Sequence, residues 1–423
     1  MEMDIKEKIN ILFDNFSPEG PLPNLLDSKH FTKEFITGNS DTVKTFIKGK
    51  LKNQIGISFS HFCMYFLHMQ KVNFLPSYLC NTTNKWIYPV AIGNAFYCGQ
   101  LLLAGESPYI LDSFIPKKVY ECLLNKKGFL MLVFEVEIVP QKMIDTFLYN
   151  TKIPHDRIII QASNTITFKN FSFSIANEIH AILKIGGEWN NKEVNALTIS
   201  EKSIKFNCIN RVAVKNRPSI KFRVLCSALL LQDNLTENSS ISIGTEENIN
   251  LYEFLEEHNT PNSFHEKLTN KILNNKKDLS KFSDWVPVKE VAKSFFAIVL
   301  GEYFEPENYK ESEIIFITEK IYSPIKFKQF FIYLGRPHTL KLMKSMGYKT
   351  FDSIIDERYD EEQNDEVRFL KIYKEIHRIC SMDTDQVKNL SQKVNSILEF
   401  NYNHMYTRIN QSLINVEKKF HEK

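Results

Sequence analysis

The sequence predicts an α/β protein with two domains, each built on a parallel sheet. The first observation is an unbroken apolar run at 128–134, followed by a helical pattern at 140–150 and a second apolar run at 157–161. Strand, helix and strand at this spacing form a βαβ unit, and strands that are apolar throughout are typical of a parallel sheet covered on both faces. The second observation is a similar succession further along the chain, with a strand candidate at 204–210 and a helix candidate at 220–232.

Length and composition agree with two globular domains. The chain has 423 residues, of which 43% are hydrophobic and 24% are charged. The 53 Lys and Arg residues nearly balance the 50 Asp and Glu residues, which argues against a dedicated nucleic-acid-binding protein. The seven cysteines form no CxxC pair, the N-terminal sequence has no signal-peptide pattern, and no window is apolar enough for a membrane span. We therefore expect a cytoplasmic protein with reduced cysteines and no membrane span.

The predicted boundaries give an N-terminal α/β domain over 1–200, a C-terminal Rossmann-like domain over 201–382 and a terminal helix over 383–423. Apolar residues recur at helical spacing through the terminal segment, and Asp383 or Thr384 can cap this helix at its start. A shorter helix is predicted before Gly347, a residue type that commonly closes helices.

The segment Thr318-Glu319-Lys320 stands at the start of a predicted helix, between two apolar runs. A lysine in a first helical turn is disfavoured by the helix dipole unless an anion is bound there, and helix N-termini are ready phosphate sites. Glu319, when ionised, can accept hydrogen bonds from hydroxyl groups such as those of a ribose. The alternative interpretation is a surface Glu–Lys pair at an ordinary helix start.

A cation-rich segment, 210–218, follows the strand candidate at 204–210 and contains Arg211, Lys215 and Arg217. It lies between a strand and a helix, where α/β domains bind phosphates, and arginine offers phosphate oxygens a bidentate fork. The alternative interpretation is a solvated basic turn.

Carboxylates flank the first apolar run. Glu135 and Glu137 follow it directly, and Glu106 and Asp112 lie in the loop before it. A carboxylate in a partly dry cleft can have a raised pKa and act as a general base, although one at a strand end is more often a salt-bridge partner or a cap. The His and Cys residues near 61–68 lack metal-ligand spacing, so no metal site is predicted.

The chain resembles a group of phage and bacterial glycosyltransferase-like proteins over roughly 107–380, most closely after 294. The Thr-Glu-Lys segment also resembles the nucleotide-sugar motif of α1,3-fucosyltransferases and, more distantly, of exostosin-type enzymes. The segments that carry the resemblance are Asn210-Arg211 with Arg217-Pro218, Ser294-Phe295-Phe296, Thr318-Glu319-Lys320 with Pro324-Ile325, Gly347-Tyr348-Lys349-Thr350-Phe351 and Asp356-Glu357-Arg358-Tyr359-Asp360.

This resemblance implies the GT-B fold, with two Rossmann-like domains facing across a cleft and a C-terminal helix returning to the N-terminal domain. It implies transfer of a sugar from a nucleotide-diphosphate sugar to an acceptor hydroxyl of a glycan, a protein or modified DNA, without an obligatory metal and in the host cytoplasm if the chain is virus-encoded. By matching position, Glu319 would bind the donor ribose, and Lys320 with Arg211 or Arg217 would face the diphosphate. Thr318 and Lys215 complete the predicted donor site, and Glu135 or Glu137 is the predicted catalytic base.

Two departures from the family pattern keep other hypotheses open. Arg358 stands where the group usually has serine, and Phe134-Glu135-Val136-Glu137 lacks the acid-glycine pair expected at that strand end. The alternative hypothesis is therefore a non-catalytic binding or virion-associated protein of the same fold. A further alternative is a glycosyltransferase that modifies DNA, which would require a continuous basic face.

Overall fold

A computed structural model gives the architecture of the chain, which divides into two compact units. The first unit is Met1–His180 with Arg408–Lys423, and the second is Ala181–Thr407. The structure describes residues 9–13, 16–17, 20–21, 72–82, 85–92, 115–134, 141–161, 172–173, 178, 195–213, 221–245, 288–301, 304, 315 and 317–421.

The first unit contains a six-stranded parallel sheet in the order β4-β1-β5-β6-β7-β8, together with a small antiparallel hairpin, β2–β3. The strands are β1 (Ile9–Phe13), β2 (Phe16–Ser17), β3 (Gly20–Pro21), β4 (Val72–Pro76), β5 (Ile87–Ile92), β6 (Phe129–Phe134), β7 (Ile158–Gln161) and β8 (Ser172–Phe173). The described helices of this unit's N-terminal segment are α1 (Lys117–Leu124) and α2 (Gln141–Thr151), with 3-10 turns at Ser77–Asn81 and His155–Arg157.

The predicted βαβ unit is confirmed as β6, α2 and β7. The two strands pair in parallel, with Leu130 opposite Ile158 and Leu132 opposite Ile160. These residues are fully buried together with Phe147 of α2, because an all-apolar strand can be covered on both faces.

The second unit contains a four-stranded sheet in the order β10-β9-β11-β12, with every pair parallel. Its strands are β9 (Ile204–Ala213), β10 (Ser239–Thr245), β11 (Ser294–Leu300) and β12 (Phe330–Leu334). Its helices are α3 (Lys221–Gln232), α4 (Val288–Lys293), α5 (Glu319–Lys326), α6 (Thr339–Ser345), α7 (Asp365–Cys380), α8 (Thr384–Lys393) and α9 (Asn395–His421), with 3-10 turns at Ile199–Glu201 and Glu357–Glu361; α9 continues into the first unit. The chain is therefore a mixed α/β protein with parallel sheets, as predicted.

Two buried lysines fix the amino-terminal side of this sheet. Lys202 Nζ donates to the carbonyl oxygens of Ser294, Phe327 and Lys328, at 3.0, 2.8 and 3.0 Å. The first carbonyl belongs to the start of β11 and the other two follow the end of α5, so that the C-terminal end of α5 lies at the amino end of the strand. Lys205 Nζ donates in the same way to the carbonyl oxygen of Cys380, at 2.8 Å, where α7 ends. Cations suit helix C-termini because the last carbonyl groups have no partner within the helix.

The terminal segment differs from the prediction of one helix. Asp383 caps α8, as expected, through a capping box with Gln386. The helix then stops at Lys393, and α9 begins at Asn395 after a break at Val394. The apolar pattern gave no sign of this break, because the buried positions continue through it at helical spacing: Val387, Ser391, Val394, Leu398, Asn401, Met405 and Ile409.

The helix α9 contributes to both units. Its buried Asn401 bonds to the backbone of Lys349 in the second unit. From Arg408 onwards it belongs to the first unit, where Arg408 Nε lies 3.4 Å from Oε1 of Glu178.

Candidate functional site

The carboxyl ends of the strands in the second sheet are the expected position of a ligand site, because ligands of parallel α/β sheets bind at this edge. The connection from β11 to β12 passes through α5, which packs on both strands. Since the C-terminal end of α5 lies at the amino end of β11, its first turn points towards the carboxyl end of the sheet. This turn is Thr318-Glu319-Lys320, the segment that the sequence singled out.

Burial on all sides sets the position of α5. Every residue from 321 to 326 is buried, and Thr318 precedes the helix in an extended conformation. Pro324 lies inside the helix. Glu319 and Lys320 are the first two helical residues and are half-buried, with 13% and 28% of their side-chain surface exposed.

Two oxygen atoms at this first turn are buried without a hydrogen-bond partner among the described residues: Thr318 Oγ1 and Glu319 Oε2. Thr318 is 1% exposed, and its side chain makes no hydrogen bond to a first-turn amide. The other carboxylate oxygen, Glu319 Oε1, lies 3.1 Å from Lys320 Nζ. Because a buried polar atom without a partner costs about 1–3 kcal/mol, these two oxygen atoms make the first turn of α5 the candidate site of the second unit.

The next three helices differ from α5 in this respect. Asp360 accepts hydrogen bonds from the Leu340 and Lys341 amides at the start of α6, both at 3.0 Å. Asn364 caps α7 and Asp383 caps α8 through their side chains. Burial raises the pKa of Asp360, and the two amide hydrogen bonds oppose that rise. The first turn of α6 is therefore filled by a carboxylate of the protein, whereas no described side chain fills that of α5.

Arginine and tyrosine side chains lie at the ends of β11 and β12. Arg223 of α3 is buried and donates through Nε to the carbonyl oxygen of Gly301, which follows β11. The phenol of Tyr333 lies close to Gly301 and Gly335, where an added Cβ would lie 2.6 and 2.4 Å from its oxygen. Burial raises the pKa of Tyr333 to about 12, so the phenol stays neutral. The carboxyl edge of the second sheet thus contains a buried guanidinium and a buried hydroxyl. At positions 301 and 335, side chains larger than glycine would collide with the Tyr333 phenol.

A cavity of about 500 Å³ lies beside α6, between this helix and the segment 352–361. Five of the charged side chains that line it pair with one another. Lys344 Nζ lies 3.4 Å from Oδ2 of Asp352 and 3.2 Å from Oε2 of Glu357, and Arg358 pairs with Asp356. Burial raises the pKa of Glu357. Because these ion pairs already occupy Lys344 and Arg358, this cavity is a weaker candidate for an anion than the first turn of α5.

The structure places part of the predicted donor site. Thr318, Glu319 and Lys320 lie together at the first turn of α5. Arg211 lies inside strand β9, which runs to Ala213, and not in the loop where the sequence placed it, because Val212 and Ala213 extend the strand.

The remaining predicted site residues lie outside the described residues. They are Lys215 and Arg217 of the cation-rich segment, Glu135 and Glu137 after β6, and Glu106 and Asp112 before it. Of Arg211, the structure describes the backbone alone. Convergence of the cations on one diphosphate therefore stays a prediction.

Sequence reasoning did not identify Tyr333, Gly301 and Gly335 as parts of this edge. The only available signal was a glycine directly after each of two apolar runs, at 301 and 335. Such glycines are typical of turns as well as of close contacts, so the pattern alone does not separate the two roles.

Within the described part of the chain, no group of three or more His, Cys, Asp or Glu side chains is placed to hold a metal ion. None of the described helices is long and apolar enough to cross a membrane. The fold and site define an α/β protein with parallel sheets and an open helix N-terminus at a strand edge. Comparison with known proteins gave no match to a protein-family model, to a curated protein or to a solved structure.

Proposed function

We propose that this chain is a glycosyltransferase that uses a nucleotide-diphosphate sugar, with its donor site at the first turn of α5. One observation carries the proposal: Thr318 Oγ1 and Glu319 Oε2 are buried there without a partner among the described residues. The first-turn amides can donate to phosphate oxygens, as helix N-termini do, and Lys320 adds a positive charge beside them.

The two residues after Thr318 suit the two halves of a nucleotide diphosphate. The carboxylate of Glu319 accepts hydrogen bonds and so fits the ribose hydroxyls. Lys320 Nζ, now 3.1 Å from Glu319 Oε1, can turn towards the diphosphate when a ligand arrives. Arg211, Lys215 and Arg217 are the additional cations proposed to neutralise the diphosphate.

In the proposed reaction, the acceptor hydroxyl oxygen attacks the anomeric carbon of the donor sugar. The bond between that carbon and the diphosphate oxygen breaks, and the nucleoside diphosphate leaves with the electron pair. The hydroxyl proton passes to a carboxylate, proposed to be Glu135 or Glu137 in a GT-B arrangement of the two units. The cations stabilise the negative charge that develops on the leaving group.

Calorimetric titration with UDP and with GDP tests the donor site. The parent protein should bind one of the two, and Glu319→Ala and Lys320→Ala should each abolish this binding while the circular dichroism spectrum is unchanged. Lys371→Ala is the matched control, because Lys371 forms an exposed ion pair with Glu362, at 2.6 Å, away from α5. Unchanged affinity in both site variants would refute the proposal.

A second candidate is a non-catalytic nucleotide-sugar-binding protein of the same fold. The sequence Phe134-Glu135-Val136-Glu137 favours it, since the acid-glycine pair expected there is absent. A hydrolysis assay with a panel of sugar nucleotides separates the two candidates. An active donor site releases free nucleotide slowly even without an acceptor, whereas a purely binding protein releases none.

A further inference from the structure

Two cysteine thiols face each other in the core of the first unit. Cys80 lies in the 3-10 turn Ser77–Asn81 after β4, and Cys122 lies in α1. Their sulfur atoms are 3.3 Å apart, although the residues are 42 positions apart in the chain. Both side chains are buried, with residue exposures of 0% and 3%. The donor site proposed above lies in the other unit, so this pair is independent of it.

The backbone on the Cys80 side is fixed by a buried tryptophan. Trp86 Nε1 donates to the carbonyl oxygen of Cys80 at 3.0 Å, and Trp86 is itself fully buried. The indole ring packs against Gly128, which has a φ of 63°, so closely that an added Cβ would lie 2.2 Å from it. The turn that carries Cys80 is therefore bonded to an indole ring that is itself tightly packed against Gly128.

The backbone on the Cys122 side is fixed by the packing of α1. Val119 and Leu123 of this helix are fully buried in the same apolar core as Cys80. The hydroxyl of Tyr120 donates to the carbonyl oxygen of Thr151 at 2.6 Å and ties α1 to the end of α2. The two sulfur atoms are thus brought together by two elements that pack in one apolar core.

We propose that Cys80 and Cys122 form a reversible disulfide through exchange with a small-molecule disulfide of the glutathione type. A disulfide bond is about 2.05 Å long, so the sulfur atoms have to approach by about 1.2 Å, a distance that side-chain rotation can supply. The bond would join α1 to the turn after β4 and would stabilise the first unit by restricting its unfolded state.

The exchange has two steps. The thiolate of one cysteine attacks the small-molecule disulfide, which forms a mixed disulfide and releases one small-molecule thiolate. The second cysteine then attacks the protein sulfur of that mixed disulfide, which forms the Cys80–Cys122 bond and releases the second thiolate. Two S–H bonds of the protein are lost, their protons pass to solvent, and the external disulfide is reduced to two thiols.

Cys122 is the entry thiol in this scheme. Its sulfur lies 2.9 Å from Oδ1 of Asn81, an exposed residue, and its own residue exposure exceeds that of Cys80. Asn125, next to the end of α1, is exposed as well, so local opening at this helix end gives the reagent access. Cys80, which is fully buried, is the resolving thiol.

Incubation of the full chain with oxidised glutathione, followed by alkylation in denaturant and mass spectrometry, tests the proposal. The parent protein should carry two alkyl groups fewer than the reduced, alkylated protein and give a cross-linked peptide that contains Cys80 and Cys122. Dithiothreitol should reverse the change, and the oxidised form should melt several degrees higher. Cys80→Ser should accumulate a glutathione adduct at Cys122, and Cys122→Ser should accumulate none at Cys80.

The matched control is Cys380→Ser, which removes a buried cysteine of the second unit and should leave the cross-link unchanged. The parent protein carries the decisive result, so the test does not depend on the folding of a variant. If Cys80 and Cys122 both remain alkylatable after exhaustive oxidation, or if glutathione stays on Cys122 of the parent protein without forming the cross-link, the proposal is overturned.

Discussion

The side-chain amide of Asn401 forms two hydrogen bonds with the backbone of Lys349. The Lys349 amide donates to Oδ1 at 2.9 Å, and Nδ2 donates to the Lys349 carbonyl oxygen at 2.8 Å. Asn401 is 1% exposed, so both backbone groups depend on this one side chain. The pair fastens α9 to the segment that follows α6.

Replacement of Asn401 should therefore destabilise the second unit. We expect Asn401→Leu to cost about 1–3 kcal/mol, because it removes both hydrogen bonds between α9 and the Lys349 backbone. Urea denaturation followed by circular dichroism measures the loss. The control is Asn403→Ala, at an exposed position of the same helix, which should change the free energy of unfolding by less than about 0.5 kcal/mol. Equal effects of the two variants would contradict the role assigned to Asn401.

Arg368 of α7 joins three separate segments of the second unit. Its guanidinium donates to the carbonyl oxygens of Gly335, Glu362 and Phe304, at 3.1, 3.0 and 2.6 Å, and it is 1% exposed. Burial lowers its pKa.

Lysine cannot replace the planar fork of this guanidinium. We expect Arg368→Lys to destabilise the protein by about 3 kcal/mol in urea denaturation, since a compact ammonium group cannot reach all three carbonyls. Arg358→Lys is the control, because Arg358 is largely exposed and pairs with Asp356 at the surface. If the two substitutions have similar effects, Arg368 does not hold these segments together.

The sequence was sufficient to predict the elements whose burial is continuous. The apolar runs that became β6 and β7 and the helix start at Thr318 were all visible, because each depends on local pattern. The break at Val394 was not, since the buried positions continue through it without a change of period.

The rest could not be predicted because it depends on contacts that are distant in sequence. The local sequence around Lys202 is typical of a surface lysine beside a polar turn. Its ammonium group is nevertheless buried against carbonyl groups 92, 125 and 126 residues away. Tyr333 lies at the carboxyl edge of the second sheet because its phenol packs against Gly301 and Gly335, and these glycines follow two different strands. No window of local sequence contains such information.

Substitution of Thr318 should separate stability from ligand binding. Its hydroxyl is buried and makes no hydrogen bond within the described residues, so Thr318→Val should leave stability unchanged or raise it by about 1 kcal/mol. If the hydroxyl serves the proposed donor, nucleotide affinity should fall about fivefold or more in the same variant. Thermal denaturation and calorimetry measure the two effects. A large loss of stability would show that the hydroxyl has a structural partner.

Lys202 should make the stability of the second unit depend on pH. Burial, with a smaller effect of the Lys328 charge, lowers its pKa from 10.5 to about 7. Between these values the unfolded chain keeps a proton that the folded chain has lost, so the contribution of Lys202 to stability rises as the pH increases from 7 to 10.5.

Comparison with Lys202→Met isolates this contribution. The free energy of unfolding of the parent protein, minus that of the variant, should increase by on the order of 3 kcal/mol between pH 7 and pH 10. Urea denaturation at several pH values gives the difference, and titration of other groups cancels in it. Parallel pH curves would show instead that the carbonyl oxygens of Ser294, Phe327 and Lys328 keep the ammonium group charged.

The path of α9 has a consequence for biosynthesis. The first unit includes Arg408–Lys423, and Arg408 meets Glu178 across 230 positions of the chain. During translation, the N-terminal sheet therefore leaves the ribosome long before the helix that completes it. The second unit is synthesised in the interval, so the contact between Arg408 and Glu178 can form only after that unit has been made.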